Sequence, residues 1–351
     1  DQIDVRFLGI GLFAQFSLAF LFFQVPLISD ILMSLNFIIA AIEAATLEGT
    51  RFLFGYLGGG SEPFEVSEGG YLYLFAFRVL PNVIVFCVLI AVLWYWKILP
   101  KVVTGFGFLL RRVFKVSGAV GTSAAATLFL GMVETPMIIR AYLTKLTRSE
   151  FFTVMTCGMS TVAGSVMIIY ANTLSDIIPG AIGHIVVGSV LNIVGAIYVS
   201  RIIVPEDSTP TSSDKFEDLG YSSTMDAITR GTQDGLKLAL NIGGMLLVII
   251  SLVALVNGVL GLLEISGEPL SLQRMLGWLF SPLAWLIGVP WSEAHLAGNL
   301  MGSKIVLNEM IAFIELAALG NDLSENSRLV LLYALCGFAN FGSLGILIGG
   351  L

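Results

Sequence analysis

Two carboxylates stand where the surrounding sequence is almost wholly apolar. Glu134 lies in GMVETP (residues 131–136), inside SAAATLFLGMVETPMII, and Glu309 follows Asn308 in MGSKIVLNEMIAF. An ionised carboxylate in apolar surroundings is costly unless paired or hydrogen-bonded, so each needs a partner. Around the first, Gly131 permits close backbone approach and Pro136 starts or stops a helix, the pattern of a tight turn between half-helices. Helix ends expose unpaired N–H and C=O groups that can meet a polar solute or an ion. The structural alternative is a glutamate locked to an internal arginine or backbone group. Glu309 follows the same logic, with Lys304 able to snorkel to a rim while the carboxylate stays inside.

Asn340 and Ser343, in ALCGFANFGSLGIL, stand three residues apart and share one side of a helix if it stays regular; Gly337 and Gly342 would let it unwind. Two carboxylates, an amide and a hydroxyl suit the hydroxyls of a sugar-like solute, because hydrogen bonds to an ionised acceptor are the stronger kind. Phe338 could stack on a ring or simply pack. Thr127, Ser160 and Thr161 are hydroxyls in apolar helix, and two readings stay open. They could supply oxygens to a small cation beside carbonyls freed by a helix break, or back-bond to carbonyls four residues earlier. Arg78 reads as half of a structural pair, and Glu293 with His295 as rim groups. The only other histidine is His184, and Cys87, Cys157 and Cys336 are isolated in apolar segments, so neither a metal cluster nor a disulfide framework is expected.

What must position these residues is set by composition. Of 351 residues, 56% are hydrophobic and 12% charged, about half the charge of a soluble domain; mean hydropathy is +0.90. A membrane protein is expected, and a net charge of −7 argues against nucleic acid as a partner. Residues 7–29, 79–96, 151–175, 177–200, 238–263 and 329–351 are uncharged or nearly so and long enough to cross hydrocarbon. Strand-like alternation is scarce, so helices are expected. Residues 31–60, interrupted by Glu43, Glu48 and Arg51, read as short re-entrant or interfacial helices, with Gly58–Gly60 and Gly69-Gly70 bracketing a surface loop. Residues 116–149 and 275–314 are apolar but interrupted by Gly, Pro and a carboxylate, each long enough for two half-helices and a turn. Broken helices in both halves of a chain point to a transport site.

The halves share a faint repeat. Gly158-Met-Ser-Thr-Val162 resembles Gly337-Phe-Ala-Asn-Phe341 at an offset of 179 residues, and Glu134 precedes Glu309 by 175. A polar linker divides them. Lys97, Lys101, Arg111, Arg112 and Lys115 cluster after the 79–96 span and place that end in the cytoplasm, with the linker after Arg201 on the same side. The expected organisation is N-terminal scaffold helices over 1–115, a first re-entrant hairpin and broken helix over 116–175, an associated span over 176–204, a polar cytoplasmic linker over 205–230, a long scaffold helix and loop over 231–274, and a second hairpin and broken helix over 275–351. The first residues do not read as a signal peptide, and the chain begins without methionine and ends on an apolar Gly-Gly-Leu, so a longer natural polypeptide is expected.

Several stretches together resemble the concentrative nucleoside transporter family: 49–55, 75–81, 123–136, 158–165, 238–243, 276–293, 307–309 and 334–351, with ALCGFANFGS and GVPWSEA the most specific. The resemblance runs in order through nearly the whole chain. It implies an all-α polytopic membrane protein, an inverted-repeat transporter with two re-entrant helical hairpins and broken helices, not an enzyme. It implies a homotrimer in the lipid bilayer of the bacterial inner membrane, importing nucleosides coupled to sodium (or, as the alternative, protons) by an elevator movement, with one further span before residue 1 and one after Leu351. A passive nucleoside-permeable channel and a non-transporting structural membrane protein are the competing readings. By position, Glu134 resembles a substrate-binding glutamate, Glu309 the ribose-binding glutamate, Asn340 and Ser343 ribose-side residues with Phe338 beside them, Val166 an apolar contact near the base, and Gly131 the hairpin-tip glycine. The family's sodium site maps onto Thr127, the Leu130 carbonyl, Thr161 and Val162. Two departures stand out. Members commonly carry Gly-Gln-Thr-Glu or Gly-Gln-Ser-Glu at the first tip, where Met132 and Val133 stand here, which implies a roomier apolar base pocket. An asparagine and a serine of the sodium site are both threonine here.

Overall fold

In the membrane every backbone polar group needs an internal partner, which restricts a chain this apolar to helices or a closed barrel. The computed structural model describes residues 5–25, 41–61, 63–64, 74–78, 80–130, 132, 135, 139–209, 211, 219–265 and 267–350. Among these, helices dominate, and the strand residues form one two-residue ladder, Glu264–Ile265 against Glu268–Pro269. The fold is all-α. Among the described residues, four segments are long and apolar enough to cross a bilayer: α1 (Val5–Gln24), the pair α3 (Phe75–Arg78) and α4 (Leu80–Tyr95), α10 (Ala181–Ile203) and α11 (Thr224–Leu260). At 1.5 Å per residue α11 is about 55 Å long, and it reaches back to Thr224, into the segment read as linker. Helix α2 occupies residues 41–54 and ends in a 3-10 turn over Gly55–Gly58; the loop expected at Gly69-Gly70 lies outside the described residues.

The remaining helices are short. They are α5 (Ile98–Phe114), α6 (Gly118–Ala126), α7 (Arg140–Leu143), α8 (Arg148–Ser160), α9 (Gly164–Leu174), α12 (Leu272–Leu286), α13 (Ala294–Val306), α14 (Glu309–Leu319), α15 (Glu325–Leu335) and α16 (Phe341–Gly350). The main core is built from α9, the start of α10, and α13 to α15, around Ile169, Tyr170, Leu300, Phe313 and Leu331. Helices α1 and α11 leave Phe13, Phe16, Leu240 and Leu255 exposed along their length.

The spans expected over 151–175 and 329–351 are each broken in two. Helix α8 ends at Thr161, whose φ of −114° and ψ of 167° are extended, and α9 starts at Gly164. Helix α15 ends at Cys336 and α16 starts at Phe341. The two breaks lie against each other: the Phe338 amide donates to the Thr161 carbonyl at 3.3 Å. Gly337 has φ +134° there, and a Cβ on it would sit 2.7 Å from the Ser160 carbonyl oxygen. The Asn192 amide on α10 donates to the Cys336 carbonyl at 2.8 Å.

Residues 275–314, expected as two half-helices and a turn, instead run through three helices. Helix α12 lies back to back with α13, and the break comes at 307–308 between α13 and α14. Small residues allow that approach, because a side chain on Gly298 would press into the α12 backbone at Gly277 and Ser281.

Helix α8 begins with a capping box. The Thr147 hydroxyl accepts from the Glu150 amide, and the Glu150 carboxylate accepts from the Thr147 amide at 3.0 Å. Glu150, only 1% exposed, also accepts from the amide and hydroxyl of Thr211, which pins the linker to this helix end. Burial pushes its carboxyl up, but hydrogen bonds from Ser117, Thr147 and Thr211 outweigh that and hold it below the ordinary carboxylate range.

Two tests follow from these contacts. Gly337→Ala should lower the melting temperature of the purified protein, because the strained φ alone costs about 1–3 kcal/mol; an unchanged melt would mean the breaks do not depend on this approach. Glu150 stabilises the fold fully above the ordinary carboxylate value, and that contribution is lost as pH falls through its lowered folded value. Glu150→Gln should therefore lower the melting temperature at neutral and alkaline pH and flatten the acid limb of the profile without changing the slope of the alkaline limb, and an acid limb as steep as in the parent would rule this out.

Candidate functional site

Glu309 is the first residue of α14. The preceding Asn308 is extended, and its side chain accepts from the Ile311 amide at 2.9 Å, so the helix starts with its N-terminal dipole beside the carboxylate. The carboxylate is 5% exposed. Its Oε1 accepts from the Tyr170 hydroxyl at 2.8 Å and its Oε2 from the Asn340 Nδ2 at 2.8 Å. Tyr170 is 1% exposed and its ring lies on Phe313, centroids 4.7 Å apart.

The helix does not stay regular here, so Asn340 does not share a helix face with Ser343. It stands at the end of the break and caps α16, its Oδ1 accepting from the Ser343 amide at 2.7 Å. That bond fixes the amide orientation, since the other end must then donate, and it donates to Glu309. Phe338 is half-buried, and its carbonyl accepts from the Asn340 amide at 2.9 Å. Glu309, Asn340, Ser343 and Phe338 are therefore brought together. Val166 is buried on α9, one turn before Tyr170 and in the same core.

Of the first tip, Gly131, Val133 and Glu134 lie outside the described residues. Met132 is buried and packs on Gly158, where an added Cβ would be 3.4 Å from that of Met132; a Cβ on Gly164 would be 3.0 Å from the Phe129 carbonyl oxygen. Met132 thus lies against α8 and Phe129 against the start of α9. Both threonines back-bond: Thr127 Oγ1 donates to the Ala124 carbonyl at 2.7 Å, and Thr161 Oγ1 to the Cys157 carbonyl at 3.2 Å. Each bond uses the hydroxyl proton, so back-bonding leaves oxygen lone pairs free.

Sequence reasoning missed Tyr170. Its signal was a lone tyrosine in an apolar helix, whose buried hydroxyl must find a partner. Lys304 does not snorkel to a rim; its Nζ donates inward to the Ala334 carbonyl at 2.9 Å. Glu293 Oε2 accepts from the Ser324 amide and hydroxyl, tying the start of α13 to that of α15. His295 stacks against Trp278, and His184 Nδ1 meets the Tyr333 hydroxyl at 3.0 Å.

Comparison with known proteins agrees along the chain. Residues 184–351 match the family described as Na+ dependent nucleoside transporter C-terminus, residues 76–176 that described as nucleoside recognition, and residues 1–57 that described as Na+ dependent nucleoside transporter N-terminus. The nucleoside permease NupC of Helicobacter pylori is 37% identical, over 99% of this chain and 83% of its own. Solute carrier family 28 member 3 of mouse is 30% identical over 86% of this chain and 44% of its own. The structure of CNTnw in an inward-facing substrate-bound state superposes with a TM-score of 0.88 at 35% identity, covering 99% of this chain and 84% of that one. An outward-facing variant of CNTnw also gives 0.88, at 34% identity, covering 99% of this chain and 83% of that one.

The carboxylate clamp has a measurable coupling. Tyr170→Phe should destabilise the protein by about 1–3 kcal/mol, because it strips a donor from a buried charged acceptor. In a Glu309→Ala background the same change should cost far less. Additive losses across this double-mutant cycle of denaturation measurements would mean the two side chains do not act together.

Proposed function

Since the chain belongs to the concentrative nucleoside transporter family, we propose that it is an ion-coupled symporter that imports nucleosides by an elevator-type alternating-access movement. The family consists of transporters, not enzymes. The observation that carries the proposal is the Glu309 clamp. A carboxylate offers about four acceptor sites, and Tyr170 and Asn340 each use one. The remaining lone pairs suit two neighbouring hydroxyls of a ribose, with Ser343 and Phe338 alongside. Each hydrogen bond to an ionised acceptor contributes about 1.5–3 kcal/mol, enough to retain a solute that must also leave.

In this reading Glu134 meets the solute from the first tip, and Gly131 allows the tip backbone to approach. Met132, Val133 and Val166 form an apolar wall for the base, so discrimination between pyrimidine and purine rests on shape more than on hydrogen bonds. Sodium is the coupling ion, taken by the hydroxyls of Thr127 and Thr161 and the carbonyls of Leu130 and Val162. The free lone pairs on both hydroxyls support sodium, and a proton on Glu134 or Glu309 is the competing driver. Ion binding favours the loaded arrangement of the first tip without touching the solute. The compact core of broken helices is the moving body, and α1, α4 and α11 belong to the frame. The protein works as a homotrimer in the bacterial inner membrane, where exposed apolar faces on α1 and α11 meet lipid or neighbouring protomers.

Proteoliposomes test this directly, with uridine and adenosine offered while sodium and pH gradients are varied independently. Uphill uptake driven by sodium is expected, for both nucleosides. Flux that only follows concentration would establish a passive channel, and no uptake under either gradient would remove the transport reading. Glu309→Gln should cut uptake about tenfold or more and still elute as the parent assembly. Full uptake by this variant would sink the site assignment.

A further inference from the structure

Lys304 is the one basic side chain of the second tip, and the mechanism above does not use it. It stands in the last turn of α13 and donates to the Ala334 carbonyl in the last turn of α15. Two helix C-termini, each the negative end of a macrodipole, therefore converge on one ammonium. Glu309 stands five residues on, across the tip. In the first half the stretch 116–139 around Glu134 has no Lys, Arg or His, and Arg140 follows it.

We propose that the Lys304 ammonium is a tethered cation, doing permanently at the second tip what a dissociable ion does at the first: it joins the first arm of the hairpin to the C-terminal end of the adjoining broken helix and offsets the tip carboxylate. This inference rests on the nucleoside-symport reading. The second tip carries its counter-charge in the chain and stays organised through the cycle without an external ion. Lys304 is a positioning residue, acting on the solute through the placement of α13 and Glu309.

The test is uridine binding to the purified full chain, by titration calorimetry at fixed sodium, for the parent, Lys304→Arg, Lys304→Ala and Lys304→Met. Lys304→Ala should weaken binding about tenfold or more, and added ethylammonium, which places a free cation in the vacated space, should restore it. Lys304→Arg, which keeps the charge, should bind within a few fold of the parent. If Lys304→Ala fails to elute as a folded assembly, Lys304→Met keeps the stem packing and should show the same loss. Parent-like affinity in Lys304→Met, a loss in Lys304→Arg as large as in Lys304→Met, or a folded Lys304→Ala that ethylammonium does not restore would each overturn the inference. A parent that binds no nucleoside would instead overturn the function it rests on.

Discussion

Backbone groups that leave a helix at membrane depth must find other partners, and here the two helix breaks find them in each other and in side chains of α10 and α13. The Phe338 amide meets the Thr161 carbonyl, the Cys336 carbonyl takes the Asn192 side chain, and the Ala334 carbonyl takes Lys304. An unsatisfied group in hydrocarbon costs several kcal/mol, so moving either break would orphan the Phe338 amide and Thr161 carbonyl that meet between them. The approach is close enough that only glycine fits at residue 337. One half of the chain thus fixes where the other is allowed to unwind.

The carboxylate clamp depends on that contact. Tyr170 belongs to α9, the helix that restarts after the first break, and Asn340 caps α16, which restarts after the second. Glu309 heads a third helix and receives one hydrogen bond from each. Its geometry therefore registers the positions of both breaks at once. A buried carboxylate tolerated this way is stable without a ligand yet retains acceptor capacity, a useful state for a site that must bind and release.

Each half of the chain contains one helix break. The second tip has a lysine within its own hairpin, five residues before Glu309. Away from the site, the same economy of partners recurs: Glu150 caps α8 and fastens the linker with one side chain. Glu293 joins the starts of two helices that both lead toward the second tip.

The sequence by itself determined that the protein is helical and membrane-embedded, because composition and apolar run length leave few other ways to satisfy the backbone. It also marked Glu309 as a buried carboxylate beside a helix start, and the glycines near which the later helix could unwind, since these are local properties. Only the tertiary structure decided who partners whom. Tyr170 reaches Glu309 across 139 residues of chain, Asn340 turns out to cap a helix rather than line its face, Lys304 points inward rather than to a rim, and 275–314 folds as three helices because α13 finds α12 before it reaches the tip. Periodicity reports which face of a helix is apolar. It carries no information about which distant donor will meet a given acceptor, and in this protein the site is made of such meetings.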